Sequence, residues 1–255
     1  MCLILFAYEC HPQYRLVIAA NRDEYYLRPT AQAVYWEDKP AILAGRDLEQ
    51  HGTWLGITKT GCYAAVTNYR DPSLTREDVE SRGRLVSNYL CGEGSPYEYL
   101  SGVHDGEDKY NGFNILAGDS KSLYYYSNVE RQLKKVSPGV YGLSNHLLNT
   151  PWPKVEKGKA ALTEHLKSRN AGEPAELLKI LSDSANAADS VLPHTGVSMK
   201  WERLLSSIFI RGEIYGTRSS TVILVNRDNY VRFVERSFYQ NSESWEEAAY
   251  EFHIG

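Results

Sequence analysis

Short apolar runs separated by turn residues make up most of the chain. Residues 2–8 form an apolar, β-prone run, and residues 14–20 form a second one. The intervening Cys10-His11-Pro12-Gln13 is typical of a turn, so the two runs predict an antiparallel hairpin. In that pairing residue 2 lies opposite a residue near 20. The polar segment 21–24 is therefore expected to emerge beside Cys2.

The rest of the pattern predicts more strands, a few helices and two irregular stretches. Residues 25–50 show no clear periodicity, and the polar residues 183–200 suggest a flexible or lid-like loop. Strands and helices are segregated rather than alternating, which favours an α+β layered fold in a single domain spanning residues 1–255. The further predicted strands are 52–57, 62–68, 114–117, 122–127, 132–136, 140–143, 217–225 and 230–238, and the predicted helices are 81–90, 153–167 and 173–181.

The composition argues against several classes of protein and of binding partner. The 255 residues are 42% hydrophobic and 24% charged, with a net charge of −4, which argues against a nucleic-acid partner. No apolar stretch has the length of a membrane span, and the N-terminus lacks the basic region of a secretory signal. We therefore expect no integral membrane segment and a cytoplasmic location. The four cysteines and seven histidines show no metal-ligand spacing, so no metal site is predicted.

Cys2 is the most distinctive candidate for chemistry. Methionine aminopeptidases remove Met1 when the second residue is small, which would leave a thiol and a free α-amine on one residue. An α-amine titrates near about pH 8 and can act as a local base at neutral pH. A nucleophile activated in this way is a known route to covalent catalysis. The simpler interpretation is a buried cysteine at the start of a strand.

The polar segment Asn21-Arg22-Asp23-Glu24 directly follows the second apolar run. Asp23 could hold the protonated α-amine or the thiol in place. Arg22 could lower the thiol pKa or bind an anionic substrate, and Asn21 is a further candidate for substrate contact. The alternative is a solvated strand end that carries a salt bridge.

Four further residues are weaker candidates. Asn68 and Asn145 each end a strand-like run, and asparagine amides are suitable donors to a developing oxyanion, although asparagine also commonly ends strands. Arg218 opens a late strand and either faces a site or caps an edge. His146 adjoins Asn145 and could border a site. Many side chains could ligate haem iron, and the sequence selects none of them.

A set of short segments, in order from residue 1 to about 225, carries a family resemblance. The set resembles the NRDE family, also called the transport and Golgi organisation protein 2 family, over nearly the whole chain. The segments are Met1-Cys2, Asn21-Arg22-Asp23-Glu24, Gly52-Thr53-Trp54-Leu55-Gly56, Thr67-Asn68-Tyr69-Arg70, Ser81-Arg82-Gly83, Tyr110-Asn111-Gly112-Phe113-Asn114, Tyr141-Gly142-Leu143-Ser144-Asn145, Pro151-Trp152-Pro153-Lys154-Val155 and Tyr215-Gly216-Thr217-Arg218-Ser219-Ser220.

That family in turn is similar to the N-terminal-nucleophile hydrolases of the choloylglycine hydrolase and penicillin V acylase branch. The resemblance implies a four-layer αββα sandwich. It implies that Cys2 is the nucleophile and that Asp23 orients its amine. It also implies that Asn68 and Asn145 surround the oxyanion hole and that Arg218 is the late-strand arginine of the site.

The chain departs from the hydrolase branch at one position, and the resemblance leaves three functions open. The branch has an arginine three residues before the aspartate, whereas this chain has Ala20 there and places Arg22 next to Asp23. The first hypothesis is an enzyme that transfers or hydrolyses the acyl group of a non-peptide amide, ester or thioester and requires no cofactor. The second is a carrier of haem or of an acyl-CoA-like lipid in the same cleft. The third is a scaffold with an inactive site.

Overall fold

The computed structural model describes residues 2–239 and 244–255, which form two antiparallel sheets and flanking helices. The chain divides into two compact units, and the prediction of a single domain stays a prediction. The first unit comprises residues 1–27, 137–144 and 148–252, and the second comprises 28–136, 145–147 and 253–255. The elements in chain order are β1 Cys2–Tyr8, β2 Tyr14–Tyr25, β3 Thr30–Tyr35, β4 Ile42–Asp47, β5 Leu55–Thr58, β6 Tyr63–Asn68, α1 Gly83–Cys91, α2 Pro96–Asp105, β7 Phe113–Gly118, β8 Leu123–Ser127, β9 Gln132–Lys135, β10 Gly139–Leu143, α3 Pro153–Lys167, α4 Pro174–Leu181, α5 Met199–Leu204, β11 Tyr215–Asn226, β12 Tyr230–Phe238 and β13 Trp245–His253.

The first unit is a six-stranded sheet with the strand order β10-β1-β2-β11-β12-β13. Helices α3 and α4 pack on one face of it through Val155, Leu162 and Leu177. The odd-numbered residues of β1, Leu3 and Leu5 among them, belong to the same core cluster. Because side chains alternate along a strand, the even-numbered residues of β1 point to the opposite face.

The second unit is a seven-stranded sheet in which β3 to β9 follow one another in chain order. Helices α1 and α2 pack on this sheet. The apolar residues Leu85, Val86 and Tyr89 of α1 are buried against Ala64 and Phe113 of the strands. Burial of one apolar helix face against one sheet face therefore forms a separate core in each unit.

Most of the predicted elements are confirmed. The hairpin between the first two strands is present, and the predicted helix at 153–167 matches α3 at both ends. Pro153 occupies the first turn of that helix, where its missing N–H breaks no hydrogen bond. Gly61 adopts a positive φ of 85° in the turn between β5 and β6, a conformation that glycine adopts without strain.

The prediction of an irregular stretch at residues 25–50 is wrong. It contains strands β3 and β4, whose sequence signals are weak for physical reasons. β3 is an edge strand that is half exposed, so its pattern lacks clear alternation. β4 contains Gly45, where an added Cβ would overlap the ring of Trp54. Glycine there makes room for the tryptophan and does not mark a turn.

The polar segment 183–200 contains a 3₁₀ turn at Asp189–Val191 and the first residues of α5. Side chains of α5 anchor it. The Glu202 carboxylate accepts hydrogen bonds from the backbone N–H and the hydroxyl of Thr195, at 2.8 and 2.7 Å, and Arg203 pairs with Asp189. These contacts fix the segment at two points, and the lid role stays a prediction. Within the described ranges, no helix is long and apolar enough to cross a membrane.

The packing of α3 against β1 yields a stability prediction. A Cβ at Gly158 would lie 2.7 Å from Leu5 Cδ1, and Leu5 is fully buried. We expect Gly158→Ala to lower the free energy of unfolding by about 1–3 kcal/mol, because overpacking outweighs the gain in helix propensity. Urea denaturation followed by circular dichroism would measure the change.

The matched control for this prediction is Gly102→Ala in α2. A Cβ at Gly102 has no neighbour within 4 Å. This variant is expected to raise stability by up to about 1 kcal/mol, because alanine is the better helix former. Equal effects of the two substitutions would contradict the account of α3 packing.

Candidate functional site

Strand pairing places the segment Asn21-Arg22-Asp23-Glu24 beside Cys2, as predicted. Cys2 pairs with Arg22, and Leu3 pairs with Asn21. The segment lies inside β2, not after it, and Asn21, Arg22 and Asp23 are only 1%, 5% and 1% exposed. The alternative of a solvated strand end is therefore wrong, and the charges are buried within the sheet.

The structure does not support the prediction that Asn21 contacts a substrate. Residues opposite each other on neighbouring strands share a face, so Cys2 and Arg22 point to one face and Asn21 points to the other. The Asn21 amide donates to the carbonyls of Leu181 and Ile208 at 2.9 and 2.8 Å. Its oxygen accepts a hydrogen bond from the Ser220 hydroxyl at 2.6 Å. Asn21 thus ties the sheet to the end of helix α4 and contacts core backbone, on the face away from Cys2.

A β-bulge at Arg218 shapes the next strand. Thr217 pairs with Asp23 and Ser219 pairs with Arg22, which leaves Arg218 as the extra residue of β11. Its guanidinium donates to the carbonyls of Tyr25 and Tyr26 at 2.9 and 3.1 Å. Burial and the nearby charge of Arg22 lower the pKa of Arg218. The two cations are therefore close enough to influence each other, and the charge of Glu24 partly offsets theirs.

Asp23 is held from two sides by residues of β11. One carboxylate oxygen accepts a hydrogen bond from the Thr217 hydroxyl at 2.7 Å, and the Asp23 carbonyl accepts one from the Tyr215 hydroxyl at 2.7 Å. Burial of a carboxylate is costly unless it is hydrogen-bonded. Thr217 and Tyr215 were missed as site residues. The available signal was their presence in the segment Tyr215-Gly216-Thr217-Arg218-Ser219-Ser220.

The environment of the Cys2 thiol keeps it protonated. Cys2 is half-buried, and desolvation is the main cause that raises the pKa of its thiol. The charge of Asp23 raises this pKa further, whereas the charge of Arg22 and a hydrogen bond with the Asp23 backbone lower it. The Ser144 hydroxyl donates to the Cys2 carbonyl at 3.1 Å and fixes the start of the strand. Nucleophilic use of this thiol therefore requires a base.

The second unit brings Asn68 and Asn145 together. The Asn145 side-chain amide donates to the Asn68 carbonyl at 3.0 Å, and the Asn145 carbonyl accepts from the Arg70 N–H at 2.7 Å. Asn145 is fully buried, whereas Asn68 is half-buried at the end of β6. Asn145 thus fixes the backbone at Asn68, whose side chain is the more accessible amide.

His146 lies in the same cluster of the second unit. Its Nε2 is 2.8 Å from the Tyr69 hydroxyl, and the two rings are 4.9 Å apart. Its carbonyl accepts a hydrogen bond from the Asn114 amide at 3.0 Å. Burial lowers the pKa of His146, so the ring is neutral at neutral pH. Tyr69 and Asn114 were missed as neighbours of this cluster, although both lie in segments that carried the family resemblance.

The described residues 2–239 and 244–255 contain no group of three histidine, cysteine or acidic side chains that could hold a metal ion. The charged groups that act on the Cys2 thiol are the fixed Asp23 carboxylate and the Arg22 guanidinium. These groups can perform nucleophilic and acid–base chemistry on an acyl compound without a metal ligand set.

Comparison with solved structures shows the fold. A mutant conjugated bile acid hydrolase from Clostridium perfringens aligns with a TM-score of 0.50 at 10% identity, covering 100% of this chain and 98% of that one. An N-acylethanolamine-hydrolyzing acid amidase ortholog from Caenorhabditis elegans aligns with a TM-score of 0.50 at 11% identity, covering 88% and 92%. The predicted fold class, an α+β fold of N-terminal-nucleophile hydrolase type, is therefore confirmed.

Sequence comparison shows the family. The mouse Transport and Golgi organization 2 homolog is 37% identical over 99% of both chains. The cattle homolog is 38% identical and covers 100% of this chain and 99% of its own. The family model described as Transport and Golgi organisation 2 matches residues 1–240. The chain therefore belongs to the Transport and Golgi organisation 2 family.

Proposed function

We propose that this protein is an N-terminal cysteine enzyme that transfers or hydrolyses the acyl group of a non-peptide amide, ester or thioester. The observation that carries the proposal is the register that pairs Cys2 with Arg22 and puts the fixed Asp23 carboxylate at the next position. The thiol shares a sheet face with the Arg22 cation, and Asp23 lies close enough for its charge to act on Cys2. These groups are the components of an activated nucleophile.

The base in this proposal is the α-amine of Cys2, released when Met1 is removed. Because burial raises the pKa of the thiol, the thiol is protonated at neutral pH and needs a proton acceptor. An α-amine with a pKa near about 8 is partly neutral at that pH and belongs to the same residue. Asp23 stabilises the ammonium after proton transfer, and Thr217 keeps the carboxylate in one orientation.

The thiolate then attacks the substrate carbonyl and forms a tetrahedral oxyanion. The family resemblance assigns the oxyanion donors to Asn68 and Asn145, and this assignment is part of the proposal. Since Asn145 is buried and donates to the Asn68 carbonyl, we propose that Asn145 positions Asn68 and that the Asn68 amide is the donor.

Collapse of the oxyanion expels the leaving group and completes acylation. The C–N, C–O or C–S bond breaks, and the ammonium of Cys2 returns its proton to the leaving amine, alcohol or thiol. The resulting thioester on Cys2 is resolved by water or by an acceptor amine, with the α-amine again acting as the base. Arg22 and Arg218 favour a substrate that carries a negative charge.

The first test is loss of turnover in Cys2→Ala. Untagged protein would be incubated with chromogenic esters, anilides and thioesters, and release of the leaving group would be measured. We expect Cys2→Ala to lower the rate by roughly a thousandfold or more, towards the uncatalysed background, because it removes the nucleophile.

Cys91→Ala is the matched control, since Cys91 is an exposed free cysteine in the other unit. It is expected to retain full activity. Full activity of Cys2→Ala would contradict the enzymatic proposal. Absence of turnover together with stoichiometric retention of haem or an acyl-CoA would instead support the carrier hypothesis.

Asp23→Asn tests the role of the carboxylate. Loss of its charge removes the partner of the α-ammonium, and we expect acylation of Cys2 to slow by about a hundredfold. The control is Glu24→Gln, because Glu24 carries the same charge one residue away and its carboxylate accepts a hydrogen bond from the Tyr25 N–H at 2.9 Å. Acylation rates within a factor of about two for both variants would rule out the proposed role of Asp23.

The pH dependence of Cys2 acylation tests the identity of the base. In mature protein the rate should rise with pH and reach half its maximum near about pH 8, where the α-amine becomes neutral. In protein carrying an N-terminal extension the free amine of Cys2 is absent. Its rate should then follow the thiol, whose pKa burial raises, and its midpoint should lie at higher pH. Coincident profiles from stopped-flow acylation would exclude the α-amine as the base.

A further inference from the structure

An open pocket of about 820 Å³ lies entirely within the first unit, where β11 begins, β12 ends and α5 packs beside them. This volume is within the range of about 300–1,000 Å³ that is typical of sites for small organic ligands. The proposed acyl-transfer function assigns no ligand to this pocket, although two of its lining residues, Tyr215 and Thr217, also hold Asp23. Its lining combines aromatic side chains with basic residues at the mouth.

The walls of the pocket are aromatic and preformed. Trp201 and Tyr215 meet edge to face, with their rings 5.7 Å apart, and Phe209 and Phe238 do so at 4.9 Å. The Tyr215 hydroxyl is fixed by its hydrogen bond to the Asp23 carbonyl. Aromatic walls that are already ordered bind a flat or apolar body with little loss of conformational entropy.

The mouth of the pocket is positively charged, although the chain as a whole is negative. Lys200, Arg203 and Arg211 line it, against a single acidic residue, Glu213. Asp189 neutralises Arg203 at 2.6 Å, whereas the Arg211 guanidinium lies over the Phe209 ring at 5.0 Å. Lys200 and Arg211 are both exposed. Their charges are therefore available to a ligand that enters along the aromatic walls.

We propose that this pocket binds an amphipathic organic anion. Its apolar body packs between the Trp201 and Phe209 walls, and its negative group is held by Lys200 and Arg211. The inference does not rest on the proposed acyl-transfer function. The residues that hold the ligand, Trp201, Phe209, Lys200 and Arg211, have no part in that chemistry, and the Cys2 side chain lies on the sheet face opposite to Thr217.

The probe for this site is the aromatic sulfonate 1-anilinonaphthalene-8-sulfonate, whose fluorescence rises in apolar surroundings. We expect saturable binding at one site that weakens with added salt. The double variant Lys200→Glu/Arg211→Glu should weaken it by about tenfold or more, because two attractive charges become repulsive. Lys167→Glu at the end of α3 is the control, since Lys167 is exposed and lies outside the pocket lining, and its affinity should match that of the wild type.

Displacement of the probe tests the chemistry of the ligand. Dodecanoate and dodecyltrimethylammonium carry equal apolar chains and opposite charges. We expect dodecanoate to displace the probe at concentrations at which dodecyltrimethylammonium does not. In Cys2→Ala, each amphiphile should displace the probe to the same extent as in the wild type. Failure of the acyl-transfer proposal would therefore leave this proposal unchanged. Equal displacement by the two amphiphiles, or unchanged affinity in the double variant, would overturn the proposal.

Discussion

The site depends on the register of β1 against β2, and the hydrophobic core sets that register. Leu3 and Leu5 must face helices α3 and α4 to be buried, so Cys2 must face the other way. A slip of one residue would turn every side chain of β1 to the wrong face, which makes the register hard to change. The same pairing brings Arg22 opposite Cys2. Packing that has no chemical role therefore fixes which polar residues accompany the thiol.

The second constraint is burial of charge inside a strand. Arg22 and Asp23 are almost fully buried in the middle of a sheet, where charges are destabilising unless they are well satisfied. The bulge at Arg218 keeps Ser219 opposite Arg22 and Thr217 opposite Asp23, where the Thr217 hydroxyl donates to the carboxylate. Departures from ordinary patterning of this kind tend to occur at functional sites. The position of the buried Arg22 and Asp23 beside Cys2 is the physical basis of the acyl-transfer proposal.

The sequence predicted those strands, helices and side-chain positions whose signals lie within the same segment of the chain. The first hairpin and helix α3 were predictable, because periodicity and turn residues lie within the segments themselves. Strand β4 was not predictable, because Gly45 is needed to make room for the ring of Trp54, which lies outside the strand. The orientation of Asn21 was also missed. A run of four polar residues suggests a solvated strand end, but here the run lies inside β2 and its side chains alternate between the two sheet faces. Partners supplied by distant strands, such as Thr217 for Asp23, leave no signal in the segment that they contact, and only the family resemblance marked the segment that contains Thr217.

We propose that Cys2, freed of Met1, is a covalent acyl acceptor. Untagged protein can be treated briefly with an activated acyl ester, digested, and analysed by peptide mass spectrometry to locate the acyl group. We expect an N-terminal peptide that begins at Cys2 and carries one acyl group, as the thioester or as the amide that forms when the acyl group moves to the free α-amine. The cysteines Cys10, Cys62 and Cys91 are expected to stay unmodified on this timescale. A retained Met1, or acylation of the other cysteines at the rate of Cys2, would contradict it.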